Sequence, residues 1–261
     1  MGNVVAKSYG RCGNQMFISA VAASYAKRTG RTFCGLIRGY YNEPYIDDTI
    51  LKNIKFHNDK DFDLSDYEIN EMKNTIGDGI CPEFTKDNVC FNGYFQDITL
   101  IDKNVAYDLF SPDEKILKDI YDMYGDLSDY VCVNIRRGDY LQYDFTRVFS
   151  VDEVKQILDK YFHNEKKVIF VSDDIEWCKT NFSDNKKPCF ADKQYYCKPY
   201  IDLYIQTQCK SNIISNSTFS WWGAYLNKHP EKVVCHWPWF KNGSVNDCKY
   251  ILPKDWIKEC S

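Results

Sequence analysis

No stretch of this 261-residue chain approaches the ~18 to 20 consecutive apolar residues that a membrane-spanning helix needs. No block of basic residues is longer than a pair, and acidic residues outnumber basic ones, 37 to 33, for a net charge of -4. A nucleic-acid-binding surface and a polybasic membrane anchor are therefore disfavoured. The opening Met-Gly-Asn-Val-Val-Ala-Lys shows no charged segment followed by an apolar one, so no export signal is expected. Among twelve cysteines there is no CxxC, the nearest neighbours being Cys189 with Cys197 and Cys81 with Cys90. A zinc knuckle or thioredoxin-like centre has nothing to start from, and the expectation is reduced thiols in a soluble, cytoplasmic protein with small buried cysteines such as Cys132 and Cys235. The four histidines, His57, His163, His229 and His236, fall in no metal-ligand spacing, and GxSxG, HExxH and Walker sequences are missing. Internal repeats, low-complexity tracts and Gly/Ser linkers are missing too.

What is abundant is aromatic: 20 Tyr, 16 Phe and 6 Trp make 16% of the chain, within an ordinary 44% of hydrophobic residues. Disorder is excluded by that composition. A chain this long buries enough surface to fold without disulfide or metal staples and allows two modest domains. Val4 to Ala6 read as a strand, Gly10 to Asn14 as a glycine-bearing turn, and the stretch with Met16, Phe17, Ala20, Val21, Ala23 and Ala26 as a helix close against a sheet, with Thr32 to Ile37 the next strand. From Asp47 to Asp129 the pattern is weaker, with a strand near Val89 to Phe95 and an acidic helix from Asp113 to Met123. After Asp129 the alternation is regular: strands at Tyr130–Ile135, Val168–Val171, Pro188–Ala191, Asn212–Ser215 and Val233–His236. Helices intervene, and one is announced by the capping-box pattern Ser150-Val151-Asp152-Glu153. Such alternation predicts α/β architecture, parallel sheets covered on both faces, and ligands at the carboxyl ends of the strands. The polar run Gly125 to Asp129 sets the expected boundary between domains 1–128 and 129–261.

Three segments just after strands could carry chemistry. Asn134-Ile135-Arg136-Arg137-Gly138-Asp139-Tyr140 sends two adjacent arginines out of a buried strand, and their planar forks suit phosphate; pairing with Asp139 to brace the loop is the plainer alternative. Ser215-Asn216-Ser217-Thr218-Phe219 joins a strand to a helix start whose amides suit an anion, or which Ser217 or Thr218 simply caps. Ser172-Asp173-Asp174 offers Asp173 as an acceptor for a base or ribose and Asp174 as a helix cap. With no third ligand nearby, a metal site ranks below those roles. Gly10-x-x-Gly13-Asn14 lacks the middle glycine of the dinucleotide fingerprint and says only that the turn is tight.

Taken in order, these segments resemble the α-1,2-fucosyltransferase family of glycosyltransferases. The likeness rests on Gly13-Asn14-Gln15-Met16-Phe17, Gly93-Tyr94-Phe95-Gln96, Arg136-Arg137-Gly138-Asp139-Tyr140, Phe170-Val171-Ser172-Asp173-Asp174 and Asp202-Leu203-Tyr204. It continues through Ser215 to Ala224, Trp239-Phe240 and Leu252-Pro253-x-Asp255-Trp256. The resemblance implies a GT-B fold of two Rossmann-like domains facing a cleft, with acceptor bound mainly by the N-terminal half and GDP-fucose mainly by the C-terminal half. It also implies a C-terminal tail packing back on the N-terminal domain. The implied reaction is inverting transfer of L-fucose to a sugar hydroxyl, the 2-hydroxyl of a galactose-like glycan acceptor, without a metal or other cofactor. Arg136 is then the residue on the β-phosphate with Asp139 orienting it. Gly13, Asn14, Asn134, Arg137, Ser172, Asp173, Asn216, Ser217, Thr218 and Phe219 form the donor set. The family usually has His where this chain has Asn134, which either contacts the donor through its amide or braces the strand end. It usually has Gly-Gly-Leu-Gly where this chain has Gly10-Arg11-Cys12-Gly13. Another nucleotide-sugar transferase of the same fold, or a glycan- or nucleotide-binding module without turnover, are the alternatives.

Overall fold

The computed structural model describes residues 1–38, 44–71, 78–165, 167–184, 188–192, 198–228, 230–241 and 250–260. His229 and Cys197 lie outside them. The chain divides into two units, Met1–Ser111 with Asn246–Pro253, and Pro112–Val245 with Lys254–Ser261.

The first unit runs β1 (Asn3–Lys7), α1 (Cys12–Thr29), β2 (Thr32–Arg38), α2 (Pro44–Asp47), β3 (Phe56–Asn58), β4 (Glu68–Glu71), β5 (Val89–Asn92) and α3 (Lys103–Phe110). Its sheet has the order β3-β2-β1-β5-β4, every pair parallel. From β1 the chain builds outward through β2 to β3, then crosses over to build β4 and β5 on the other side, so the order reverses between β1 and β5. Helix α1 is buried on nearly every side; its small Ala20, Ala22, Ala23 and Ala26 let it lie close on the sheet. It ends at Gly30, in a left-handed conformation that suits glycine.

The second unit runs α4 (Glu114–Tyr124), β6 (Val131–Ile135), α5 (Val151–Phe162), β7 (Val168–Ser172), α6 (Ile175–Phe182) and β8 (Pro188–Phe190). It continues with α7 (Pro199–Gln208), β9 (Ser211–Ile214), α8 (Thr218–Tyr225), β10 (Lys232–Trp237) and β11 (Ile257–Cys260). The order β11-β10-β9-β6-β7-β8 is again wholly parallel and reverses between β6 and β9. A parallel sheet buried on both faces calls for continuous apolar strands, and β6 answers with all five residues buried. Val133, Ile135, Phe170, Phe182 and Val234 form the core around it. Helix α5 starts with both halves of the expected capping box: Ser150 Oγ accepts from the Glu153 amide at 3.2 Å, and Glu153 returns the contact to the Ser150 amide at 2.7 Å.

The unit boundary falls at Ser111–Pro112 and not at Gly125 to Asp129. The reason is the apolar stripe of α4: Ile116, Ile120 and Tyr124 are buried, and the helix packs against α7 of the second unit. The polar run is only the turn from α4 into β6, anchored by buried Leu127. Of the tail, the described residues 250–253 belong to the first unit, while 254–260 return to the second as β11. Among the described residues, Cys34, Cys81, Cys90, Cys132, Cys178 and Cys209 take part in no disulfide.

Candidate functional site

Strand register builds the site in the second unit. Ile135 at the end of β6 lies beside Ser172 at the end of β7, so the next residues, Arg136 and Asp173, leave the sheet side by side. On the other flank Asn134 pairs with Ile214, which brings the loop from Ser215 onward to the same level. All of these lie at the carboxyl ends of the strands next to the point where strand order reverses, which is where ligands enter open α/β sheets.

The arginine loop is held by carboxylates. Arg136 makes ion pairs with Asp139, Nη2 to Oδ1 at 2.6 Å, and with Asp173, Nη1 to Oδ2 at 2.9 Å. Arg137 donates its amide to Asp173 Oδ1 at 2.8 Å and its Nε to Asp174 Oδ2 at 3.0 Å, and its guanidinium lies 3.9 Å from the Trp177 ring centroid. A Cβ on Gly138 would come within 2.4 Å of Asp173 Oδ2, so only glycine lets that carboxylate reach both arginines. Two arginines thus face three aspartates, and the loop is no patch of bare positive charge. Attraction for an anion has to come from orientation. The carboxylates occupy one donor on each Nη of Arg136 and leave the rest of its five-donor fork for a ligand.

Asp174 is the expected cap, accepting from the Trp177 amide at 3.3 Å, and Ser172 Oγ accepts from the Asp174 amide at 3.0 Å. The two aspartates are therefore engaged with the arginines and the start of α6. Among the described residues no group of three or more His, Cys, Asp or Glu is placed to hold a metal ion.

At the end of β9 the groups are neutral and buried. Asn134 is 6% exposed, and its Oδ1 accepts from Ser215 Oγ at 3.2 Å, the geometry of a strand-end brace. Ser220 Oγ donates to the Ser215 and Ser217 carbonyls at 3.1 and 3.0 Å. Asn216 donates its Nδ2 to the Trp239 carbonyl at 2.5 Å, while its Oδ1 is buried without a partner. Ser217 occupies the N-cap position of α8 but makes no side-chain cap, so neither it nor Thr218 fulfils the capping alternative. The half-buried Thr218 and Phe219 begin a helix whose first-turn amides no side chain covers. Sequence reasoning gave no role to Tyr140 or Trp177. Tyr140 donates its hydroxyl to the Asn216 carbonyl at 3.2 Å and lies 5.5 Å from the Arg136 guanidinium, tying the two loops together. Burial pushes its phenol up to about 12, which keeps it a neutral donor. Its place directly after Asp139 was the available signal; Trp177, three residues after the cap Asp174, offered a similar one.

Gly13 and Asn14 belong to the first unit, at the start of α1. Asn14 Oδ1 accepts from Gln96 Nε2 at 2.9 Å, linking the turn after β1 to the segment after β5 across the reversal point of that sheet. Gln15 Nε2 donates to the Gly10 carbonyl at 3.2 Å. Gln96 Oε1 is buried and unpartnered, and Phe95 beside it has φ of 49°, in a region that non-glycine residues rarely enter. The Tyr9 and Tyr94 rings lie 6.1 Å apart at the same end of the sheet.

Residues 113–259, more than half of the chain and most of the second unit, match the model of glycosyl transferase family 11. The chain belongs to that family. Among curated relatives of this chain, the O-antigen biosynthesis glycosyltransferase WbnK of Escherichia coli is 33% identical over 171 residues, covering 59% of this chain and 56% of that protein. The chain thus matches little more than half of WbnK's length. An α-1,2-colitosyltransferase of Escherichia coli is 27% identical over 302 aligned residues, covering 99% of each. Among solved structures, NodZ α-1,6-fucosyltransferase soaked with GDP-fucose superposes with a TM-score of 0.58 at 12% identity, covering 89% of this chain and 94% of that one. That likeness concerns the fold, which is α/β with two parallel Rossmann-like sheets as in GT-B fucosyltransferases.

Proposed function

We propose that this family 11 chain transfers L-fucose from GDP-fucose, with inversion, to the 2-hydroxyl of a galactose-like acceptor. The observation that carries the reading is the oriented guanidinium of Arg136, held by Asp139 and Asp173 at the reversal point of the second sheet. As the glycosidic bond to the leaving group stretches, negative charge grows on the β-phosphate, and a donor fixed beforehand stabilises it without reorganising. Arg136 takes that role, with the uncapped start of α8 at Thr218 and Phe219 aimed at the same diphosphate. Arg137, stacked on Trp177 and held by Asp174, keeps Asp173 in place through its amide. Fucose as the transferred sugar is supported by the motif resemblance and by the fold shared with NodZ. The α-1,2 linkage is supported by the motifs and by the name of the relative aligned end to end. That relative's name also makes colitose the second reading for the donor sugar.

In this reading the oriented fork of Arg136 and the open amides at the start of α8 meet the diphosphate, so turnover needs no divalent cation. Incubating the protein with GDP-fucose, GDP-colitose and UDP-galactose, each with a β-galactoside, and measuring free nucleotide separates the readings. GDP release from GDP-fucose alone among the three is the expected result; release from none would leave a binding module. Turnover abolished by EDTA and restored by Mn²⁺ would overturn metal independence.

A further inference from the structure

Beyond the arginine pair the second unit carries a concavity whose lining includes neither Arg136 nor Asp173. It has a volume of about 500 Å³ and is lined by Tyr140, Tyr143, Asp144, Arg147, Pro238 and Lys241, among others. That volume is within the range of small-ligand sites. By the sheet order it lies on the β10 side of β6, opposite Asp173 and Asp174, which follow β7.

Tyr143 in its lining belongs to an aromatic cluster that is held in place. Tyr143 and Phe145 are 48% and 50% exposed and stack with ring centroids 5.4 Å apart, and Phe240 lies 6.2 Å from Phe145. Large exposed aromatics on a loose loop would mean little, but this loop is pinned. The buried Thr146 hydroxyl reaches the carbonyls of Tyr140 and Tyr143 at 2.6 and 2.8 Å, and the Lys241 amide donates to the Phe145 carbonyl at 2.9 Å. Arg147 is fixed by the Trp237 carbonyl at 3.0 Å and by Glu153 at 3.2 Å. Its charge is thereby matched, which argues against a site for a free anion. The combination of flat aromatic faces with a carboxylate, an ammonium and a phenol suits a ligand with apolar C–H faces and many hydroxyls. Tyr140 makes the site continuous with donor binding, since it lines the concavity and also contacts Asn216 and Arg136.

We propose that this concavity is an acceptor-glycan subsite in the second unit, where Tyr143 and Phe145 stack on sugar rings beyond the reacting galactose and Asp144 and Lys241 bind their hydroxyls. The proposal rests on the glycosyltransferase reading and adds to it where the body of the acceptor lies. It is tested with the double variant Tyr143→Ala/Phe145→Ala, whose side chains are half exposed and outside the core. The KM for a β-galactose-terminated tetrasaccharide is expected to rise about tenfold, a size consistent with loss of aromatic stacking. The KM for methyl β-galactoside, kcat, and GDP release in the absence of acceptor are expected to stay within twofold. An unchanged tetrasaccharide KM, or an equal loss for both acceptors, would overturn the subsite. If wild-type protein turns over no GDP-sugar, the function has failed and not the subsite. Saturation-transfer NMR with the same tetrasaccharide then decides: signal on wild type and none on the variant supports the subsite, and any other pattern overturns it.

Discussion

The two sheets present the same device in two chemical versions. In each, the strand order reverses beside a central strand, a turn leaves that strand with a glycine in it, and a polar side chain presses on the glycine. In the first unit the glycine is Gly10, where an added Cβ would lie 2.4 Å from Asn14 Nδ2; in the second it is Gly138, where it would meet Asp173 Oδ2 at the same distance. The first turn is joined to the neighbouring strand end by two neutral amides, Asn14 and Gln96, the second by guanidinium and carboxylate groups. Neutral amides discriminate among hydroxyls at little desolvation cost, whereas an oriented guanidinium is worth having where charge develops. The difference teaches that topology chooses where a ligand goes, and the residues on the turn choose what kind.

The sharpest way to break the comparison is to remove the charge. Arg136→Ala is expected to lower turnover on the order of 10²- to 10³-fold with GDP binding largely retained, and Lys to recover little because a point charge cannot replace a fork. Steady-state kinetics with direct GDP titration measures both, and near-normal turnover would remove Arg136 from the leaving group. Next comes geometry without chemistry. Gly138→Ala displaces Asp173 and with it both arginines, and a shift of about 1 Å in a positioned group can cost about a hundredfold; a loss of ten- to a hundredfold in kcat/KM with unchanged thermal stability is expected. Gly10→Ala should instead register as stability, since φ of 63° adds roughly 1 to 2 kcal/mol of strain for a residue with a side chain.

Acid separates the units differently. His236 is 1% exposed, stacks on Phe149 at 4.1 Å and faces Glu153 at 3.4 Å, with Arg147 also nearby. Burial is the main cause that lowers its pKa to about 4, and Glu153 only partly opposes it. A folded pKa below the unfolded one means the unfolded chain takes up the proton first, so the stabilisation is complete above about pH 6.5 and is lost as pH falls toward 4. Between pH 7.5 and 5 the loss attributable to this group is about 2 kcal/mol. Denaturant unfolding of wild type and His236→Gln at both pH values checks it: the variant should lose the pH-dependent part, and equal slopes would dismiss His236 as its source. The smallest effect is expected at Asn134. Because its amide oxygen is engaged by Ser215, GDP dissociation constants of wild type and Asn134→His should run parallel from pH 5.5 to 8, and divergence at low pH would restore a phosphate contact.

How much of this was legible depended on whether a signal was local. The alternating run from Tyr130 to His236 announced itself because parallel strands are continuous apolar stretches, and Ser150 with Glu153 marked its helix outright. Strands β3 and β4 did not, since Phe56–Asn58 and Glu68–Glu71 are short edge strands, half exposed, with little apolar content. Nor did β11, Ile-Lys-Glu-Cys, which takes its place only by pairing with β10. The arginines, the orienting Asp139 and the capping Asp174 could be read because each acts on a neighbour in sequence. That Asp173 serves both arginines could not, because it depends on the register of β6 against β7. The ordering of Tyr143 and Phe145 depends on Thr146 and on the amide of Lys241, nearly a hundred residues away.

The path of the chain through its last described segment has a consequence for the order of events during synthesis. Both units are discontinuous: the first draws on residues 250–253, where Tyr250 comes so near Gly79 that a Cβ there would lie 2.7 Å from its ring, and the second is completed by β11. A nascent chain emerging at about 5 to 20 residues per second therefore exposes the 1–111 segment for many seconds before its final piece arrives. The first sheet is complete once Asn92 has emerged, but its unit still lacks residues 250–253, and the second sheet waits for β11. A ribosome stalled before residue 250 would hold two incomplete units at once, and severing the chain at Ser111 would leave the first without its 250–253 segment.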